Sequence, residues 1–385
     1  MFRQFWAARR EKMFERPRNE FVGSNYIPSL DGWRALCIIL VLGSHAVRVA
    51  GFPAEWKDAV TLVFDGNLGV RCFFIISGFL ITTLLLREFH ATGAIDLRGF
   101  YLRRVLRIFP VYFAFLGVVA LLEWFTVFDQ PAVQWVHLLT FTTNFTARGN
   151  WPTGHTWSLA CEEQFYLLWP SLMIFLRLTS WGGRVGLVVA APILLAPLCR
   201  VATYLEVFPG NVLFGMFSLL NYQDSLAIGC LLAYFHPALS ERLASAQRIH
   251  LALVAAAAIL VPLWLSSTHR FGILTVPLGP TFQGLGMAAL ISLSARRSDF
   301  FVIRWLNWRP VIWLGILSYS LYIWQQLFCT DPALFGWQGK APFTVNTWIG
   351  WAIVAACMSY FLLEKPLLQW RKRLHVRGAG EVGRS

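Results

Sequence analysis

Apolar runs of about 20 residues recur along the whole chain, separated by short polar segments. A run of this length crosses the hydrocarbon core of a membrane, which is about 30 Å thick, as a single helix. Helix-breaking residues such as Gly51, Pro209 and Pro332 lie in the intervening linkers. The pattern predicts an all-α polytopic integral membrane protein with about ten transmembrane helices in one bundle. The predicted spans are residues 33–52, 68–87, 108–128, 157–177, 185–204, 211–235, 249–266, 273–294, 310–329 and 345–364.

Lysine and arginine are distributed unevenly between the two sides of this arrangement. If the N-terminus is inside, 25 of the 33 basic residues fall in inside segments and only six fall in outside segments or helix ends. Because cytoplasmic loops collect positive charge, both termini are expected in the cytoplasm. This orientation predicts a basic arm at 1–26, a transmembrane domain at 27–370 and a basic tail at 371–385. The net charge of +13 then reflects topology, and nucleic-acid binding is not expected.

Composition agrees with the membrane class, since 57% of the residues are hydrophobic and only 14% are charged. The seven cysteines are scattered through apolar runs without the paired spacing of a disulfide framework or a metal site. We therefore expect no metal. Residues 1–26 contain no apolar core of the kind found in a cleavable signal peptide.

The first span carries Arg34 near its start and His45 near its end. Their separation amounts to roughly three helical turns plus 20°, so both side chains project from one helix face, about 16 Å apart along the axis. Ionisable groups inside a membrane are costly and often functional. A neutral His45 can accept a proton from a hydroxyl group; the alternative is a polar side chain satisfied by a neighbouring helix.

Two adjacent carboxylates, Glu162 and Glu163, lie just inside the fourth span. Helical spacing places Ser158 and Glu162 on one face, and Glu163 and Tyr166 on another. Two interpretations remain open. A carboxylate here either orients His45 or binds sugar hydroxyls, or it forms a packing ion pair with an arginine in the membrane.

Arg104 and Arg107 share one helix face near the cytoplasmic interface. A guanidinium pair among aromatic residues suits the phosphates and adenine of a nucleotide-like ligand, whereas the alternative is anchoring to lipid headgroups. Ser77 and its neighbour Gly78 fit a close helix-packing point. Asp224, at the start of the sixth span, is expected either to pair with an arginine or to cap its helix.

Taken in order, several motifs across residues 26–370 resemble those of the membrane acyltransferase 3 family, which includes surface-polysaccharide O-acetyltransferases. They are Arg34-x10-His45 after Ile27-Pro-Ser-Leu-Asp31-Gly, Gly69-Val-Arg-Cys-Phe-Phe-Ile-Ile-Ser77-Gly-Phe79, Arg103-Arg-Val-Leu-Arg107-Ile-Phe-Pro110, His155-Thr-Trp-Ser158-Leu, Glu162-Glu-Gln-Phe-Tyr166, Tyr319-Ser-Leu-Tyr322 and Glu364-Lys-Pro366.

The resemblance implies an enzyme of the bacterial inner membrane that transfers an acyl group from cytoplasmic acyl-CoA, with acetyl-CoA the expected donor. The acceptor would be a hydroxyl of a glycan or glycoconjugate, such as lipopolysaccharide, on the outer side. The implied catalytic residues are Glu162 and His45, with His45 acting as a base or carrying the acyl group. The implied donor-binding residues are Arg34, Arg104 and Arg107; supporting roles are expected for Asp31, Ser77, Ser158, Glu163, Tyr166 and Asp224.

Two positions depart from the family pattern. Gln325 lies where many relatives have a nearby histidine, so no second catalytic histidine is predicted there. Tyr222 lies where many relatives have an arginine two places before Asp224, which leaves the partner of Asp224 open. Because no appended hydrolase-like domain is recognised, transfer is expected to be completed by the membrane core or by a separate protein.

A transporter or flippase is the main alternative, since buried charges also line permeation paths. No internal repeat of the kind found in many transporters is evident. A non-catalytic membrane scaffold would leave Arg34, His45 and Glu162 without a role.

Overall fold

Ten long helices make up the body of the described chain. The structure, a computed structural model, describes residues 29–49, 51–146, 150–180, 182–209, 218–242, 245–268, 271–294, 301–337, 344 and 346–369, so the predicted arm at 1–26 and tail at 371–385 lie outside the described residues. The helices are α1 Ser29–Ala46, α2 Gly66–Thr92, α3 Leu97–Phe125, α4 Thr156–Phe175, α5 Gly183–Tyr204, α6 Leu219–Arg242, α7 Ser245–Ser267, α8 Gly272–Ser294, α9 Arg309–Phe328 and α10 Trp348–Ser359. A π-helical turn at Tyr360–Glu364 continues α10.

Each of the ten predicted spans corresponds to one of these helices, and the all-α membrane class is confirmed. Seven helices of the described chain are long and apolar enough to cross a membrane. The other three are α1, α4 and α6, which carry Arg34, Glu162 and Asp224, respectively. Polar residues within these three helices lower their mean hydropathy. The helices that carry these candidate site residues are therefore the least apolar of the ten.

Large apolar side chains cover the outside of the bundle. They include Phe175, Ile273 and Leu187, which are 84%, 87% and 72% exposed. A water-soluble domain rarely exposes so much contiguous apolar surface, whereas lipid tails cover it at no cost. This exposed apolar surface and the long apolar helices together identify the protein as a multi-pass membrane protein.

The largest boundary difference concerns α3, which begins at Leu97 and not near residue 108. The Asp96 side chain caps the helix by accepting a hydrogen bond from the backbone N–H of Gly99 at 2.9 Å. Arginine also has a high helix propensity, so the basic segment predicted as a cytoplasmic linker forms the first three turns of α3. Arg104 and Arg107 are consequently held on a rigid helix.

Helix α1 lies near the centre of the bundle, packed against α2 on one side and α9 on the other. Helix α2 also approaches α6 closely enough to require glycine on both helices. A Cβ on Gly78 of α2 would collide with the backbone carbonyl of Leu226 in α6, and one on Gly229 of α6 would collide with that of Ile75. The expected packing point at Gly78 is therefore confirmed, and it brings α2 and α6 into backbone contact.

Candidate active site

A cavity opens among α1, α2, α3, α4 and α9. It encloses about 840 Å³ of space, counting the part open to solvent. Its walls combine apolar side chains, including Phe73 and Phe74, with a small number of polar groups, as ligand sites generally do. The polar and charged residues are Arg34, Ser77, Arg104, Arg107, Ser158, Glu162, Tyr166, Ser318, Tyr319 and Tyr322.

Three arginines from two helices meet at this cavity. Arg34 comes from α1, and Arg104 and Arg107 come from consecutive turns of α3. The Arg104 guanidinium carbon lies 5.1 Å from the centre of the Tyr166 ring, within the range of a cation–π contact. Glu162 contributes the only carboxylate among the lining residues, so the wall carries a formal charge of +2. The cavity suits an anionic ligand.

Glu162 is hydrogen-bonded to α2. Its Oε1 accepts a hydrogen bond from the Ser77 hydroxyl at 2.6 Å, and Ser77 Oγ accepts one from the Tyr166 hydroxyl at 3.0 Å. Ser158, one turn before Glu162, makes a 2.5 Å hydroxyl contact with Tyr322 of α9. The predicted pairing of Ser158 and Glu162 on one face is thus found, but Tyr166 lies with Glu162 and not with the neighbouring Glu163.

His45 lies outside the set of lining residues, near the end of α1. Its Nδ1 is 3.1 Å from Oε1 of Gln325. An amide oxygen can only accept a hydrogen bond, so Nδ1 carries the proton and Nε2 presents its lone pair. The Trp151 ring packs edge-on against the imidazole with centroids 5.1 Å apart, and the same ring stacks under the Arg48 guanidinium.

The partner of His45 differs from the expected one. Gln325 contacts His45, whereas Glu162, one candidate for orienting the imidazole, is bonded to Ser77 instead. A neutral amide fixes the imidazole tautomer without adding a charge inside the membrane. Glu162 and His45 therefore belong to two separate sites. Glu162 lines the cationic cavity, and His45 forms an imidazole site outside it.

Asp224 has two arginine partners from different helices. Its Oδ1 lies 3.3 Å from Arg71 of α2 and its Oδ2 lies 2.9 Å from Arg200 of α5, and all three side chains are buried. The Thr281 hydroxyl also donates a hydrogen bond to Oδ2, at 2.7 Å. Tyr222 packs its ring against Arg71, 4.3 Å from the guanidinium carbon. Arg200 thus supplies the second guanidinium from another helix, and Asp224 belongs to a structural network outside the cavity.

Replacing Asp224 with asparagine should lower the free energy of unfolding by about 3–5 kcal/mol, because two buried guanidinium groups would lose their counter-charge. Unfolding of the purified protein in detergent measures this loss. Glu88→Gln is the matched control, since Glu88 and Arg103 are 3.5 Å apart with side chains 24% and 30% exposed, and their ion pair should contribute less than about 1 kcal/mol. Equal, small effects of the two substitutions would contradict a stabilising role for the network.

Asp31 and Glu163, two further residues expected to support the site, are both found away from the cavity wall. Asp31 is buried in the first turn of α1, where its backbone carbonyl packs against Gly315 of α9 and its carboxylate interacts electrostatically with Arg34. Glu163 has one carboxylate oxygen that is buried without a hydrogen-bond partner. Neither residue lines the cavity.

Spacing within single helices did not single out Tyr322, Gln325 or Trp151 as site residues. Tyr322 and Gln325 contact residues on other helices that are 164 and 280 positions away in the chain. The motif Tyr319-Ser-Leu-Tyr322 was the available signal for Tyr322, and both of its tyrosines line the cavity.

Comparison with known proteins identifies the family to which the chain belongs. The family model for the acyltransferase domain, acyltransferase 3, matches residues 27–362. The chain therefore belongs to the acyltransferase 3 family, and the resemblance drawn from the motifs is confirmed. No solved structure matches the chain significantly.

Several curated bacterial proteins are similar to the chain. The putative peptidoglycan O-acetyltransferase YrhL of Bacillus subtilis is 29% identical over 89% of this chain and 55% of its own length. The O-acetyltransferase OatA of Staphylococcus aureus is 28% identical over 93% and 58%. The peptidoglycan O-acetyltransferase OatA of Listeria monocytogenes is 28% identical over 80% and 50%. The chain thus spans about half the length of these relatives.

Proposed function

We propose that this protein is an O-acyltransferase of a bacterial plasma membrane. It takes an acetyl group from cytoplasmic acetyl-CoA and transfers it to a hydroxyl of a cell-envelope glycan on the outer side. The observation that carries the proposal is the cavity in which Arg34, Arg104 and Arg107 converge. Relatives with peptidoglycan in their names favour that glycan over lipopolysaccharide as the acceptor.

The donor would bind through its phosphates. Coenzyme A carries several phosphate charges, and arginine binds phosphate through paired, charge-assisted hydrogen bonds. The formal charge of +2 on the wall supplies the complementary field. With the phosphates at the arginines, the pantetheine arm and its thioester extend along the apolar wall toward Ser158 and Tyr322.

Acyl transfer then requires a base for the acceptor hydroxyl. The Nε2 lone pair of His45 is suited to this role because Gln325 holds the proton on Nδ1. The acceptor oxygen attacks the thioester carbon, its proton moves to His45, and the carbon–sulfur bond breaks to release CoA. Glu162, bonded to Ser77, contributes to the cavity wall beside the donor.

Transfer of radiolabel tests the proposal directly. Purified protein in detergent is incubated with labelled acetyl-CoA and solubilised peptidoglycan strands, and both free CoA and labelled glycan are measured. We expect CoA release that depends on the glycan, with matching amounts of acetyl ester in the glycan. Movement of a substrate across proteoliposomes without CoA release would support a transporter instead.

A further inference from the structure

Arg48 is an exposed arginine just beyond the end of α1, and the proposed reaction gives it no role. Basic residues of this chain collect on the predicted cytoplasmic side, whereas Arg48 lies on the predicted outer side, close after His45 in the sequence. Its backbone N–H donates to the His45 carbonyl oxygen at 3.0 Å. The chain therefore turns here and keeps a basic residue, against the overall charge bias, next to the proposed base.

The Arg48 guanidinium rests on an aromatic ring that is itself held in place. Its central carbon lies 4.2 Å from the centre of the Trp151 ring. The indole is fixed because its Nε1 donates to the backbone carbonyl of Cys329, at the end of α9, at 3.1 Å. Stacking on the ring face restricts the guanidinium without using its N–H donors. An arginine held in this way is pre-organised to bind a planar anion.

These N–H donors have no acidic partner in the described part of the chain. Among the described residues, Arg71, Arg103 and Arg200 form ion pairs with carboxylates, whereas Arg48 forms none. A guanidinium binds a carboxylate through two parallel, charge-assisted hydrogen bonds. Arg48 is therefore oriented by its ring and available to an anionic ligand.

The Trp151 ring joins Arg48 to His45. The centres of the Trp151 and His45 rings are 5.1 Å apart, and the guanidinium contacts the same indole. Both groups can be reached from outside the bundle, since Arg48 is exposed and His45 is partly exposed. A sugar whose hydroxyl lies at His45 would therefore bring its neighbouring substituents to Arg48.

Resting on the proposed function, we infer that Arg48 and Trp151 form the acceptor subsite and select a glycan that carries a carboxylate close to the acetylated hydroxyl. The Arg48 guanidinium binds the carboxylate while the hydroxyl lies at His45, so the anion fixes which hydroxyl of the sugar meets the base. Arg48 acts in binding and orientation and does not touch the reacting atoms. A neutral glycan with the same hydroxyl binds less tightly.

Removing the carboxylate and removing the guanidinium should have the same consequence. Two acceptors are compared: solubilised peptidoglycan strands, and the same strands after their carboxylates are converted to methyl amides. With the unmodified protein, kcat/KM should be about 10-fold higher for the untreated strands, the lower end of the range for a hydrogen bond to a charged group, because Arg48 is exposed. In Arg48→Gln this preference should disappear. Arg48→Lys keeps the charge but not the planar fork, and should retain part of it.

Lys57→Gln is the matched control, because Lys57 is another exposed basic residue of the predicted outer side, at the start of the short helix Lys57–Val63. It should keep the full preference for untreated strands. Equal kcat/KM of the unmodified protein for both strands, or equal loss with both in Arg48→Gln, would overturn the subsite. An undiminished preference in Arg48→Gln would also overturn it, and weaker binding of that variant to phospholipid vesicles would then assign Arg48 to lipid headgroups. If the unmodified protein released no CoA with either kind of strand, the proposed function itself would fail.

Discussion

His45→Ala should abolish acyl transfer while leaving acyl-CoA binding intact. General-base catalysis typically contributes about 10²–10⁴-fold in rate, so turnover should fall by at least the lower figure. The donor affinity should be unchanged because His45 is not among the residues that line the cationic cavity. Glycan acetylation measures the first effect, and titration with acetyl-CoA measures the second.

The matched control is His90→Ala, which removes an exposed imidazole near the end of α2. It should retain full activity. Gln325→Ala should lower activity less than His45→Ala does. Loss of the orienting bond leaves the imidazole present but free to rotate or to change tautomer. If the His45→Ala variant transferred acetyl groups at the wild-type rate, His45 would not be the base. The hydroxyl groups on the cavity wall would then be the next candidates.

Replacing Arg104 and Arg107 with alanine should instead weaken donor binding. A hydrogen bond to a charged group contributes about 1.5–3 kcal/mol, so each arginine that contacts phosphate should be worth roughly a 10-fold to 100-fold change in Kd. The loss should appear in the titration with acetyl-CoA. It should be smaller for a small thioester such as S-(4-nitrophenyl) thioacetate, which carries no phosphate.

Arg103→Ala is the appropriate control, since it removes a neighbouring arginine that pairs with Glu88 and does not line the cavity. The same three positions distinguish donor binding from lipid anchoring. If the arginines only bind headgroups at the cytoplasmic surface, all three substitutions should affect membrane association alike and leave the Kd for acetyl-CoA unchanged.

Helix α1 contributes residues to two separate places in the bundle. Near its start, Arg34 lines the cavity proposed for the donor; near its end, His45 lies beside Trp151 and Gln325, where we propose that the acceptor hydroxyl is activated. Helical geometry puts about 16 Å between these two positions along the axis. An extended pantetheine arm is long enough to bridge such a gap, as the proposed reaction between a cytoplasmic donor and an outer acceptor requires.

Two buried polar groups have partners that the sequence did not indicate. The resemblance to the family suggested an arginine at Tyr222, yet Asp224 binds two guanidinium groups because Arg200 reaches it from α5. The resemblance likewise suggested a histidine near Gln325, and here Gln325 itself contacts His45. In both cases the departure in sequence was clear, but the compensating contact came from a different helix.

The sequence by itself determined the membrane class, the number and order of the long helices, and the residues with candidate chemistry. The physical reason is that the hydrocarbon core demands apolar runs of a set length, and an ionisable residue within such a run is conspicuous. Spacing also showed that Arg34 and His45 share a face, because the helical repeat is a local property of the chain.

Only the tertiary structure decided which of these groups meet. Ser77 binds Glu162 across 85 residues and His45 binds Gln325 across 280, contacts that depend on how helices pack and not on spacing within any one of them. The tautomer of His45 was decided in the same way, since it depends on an oxygen supplied by α9. Helix packing therefore brings scattered polar residues together into a cationic cavity and an imidazole oriented by Gln325.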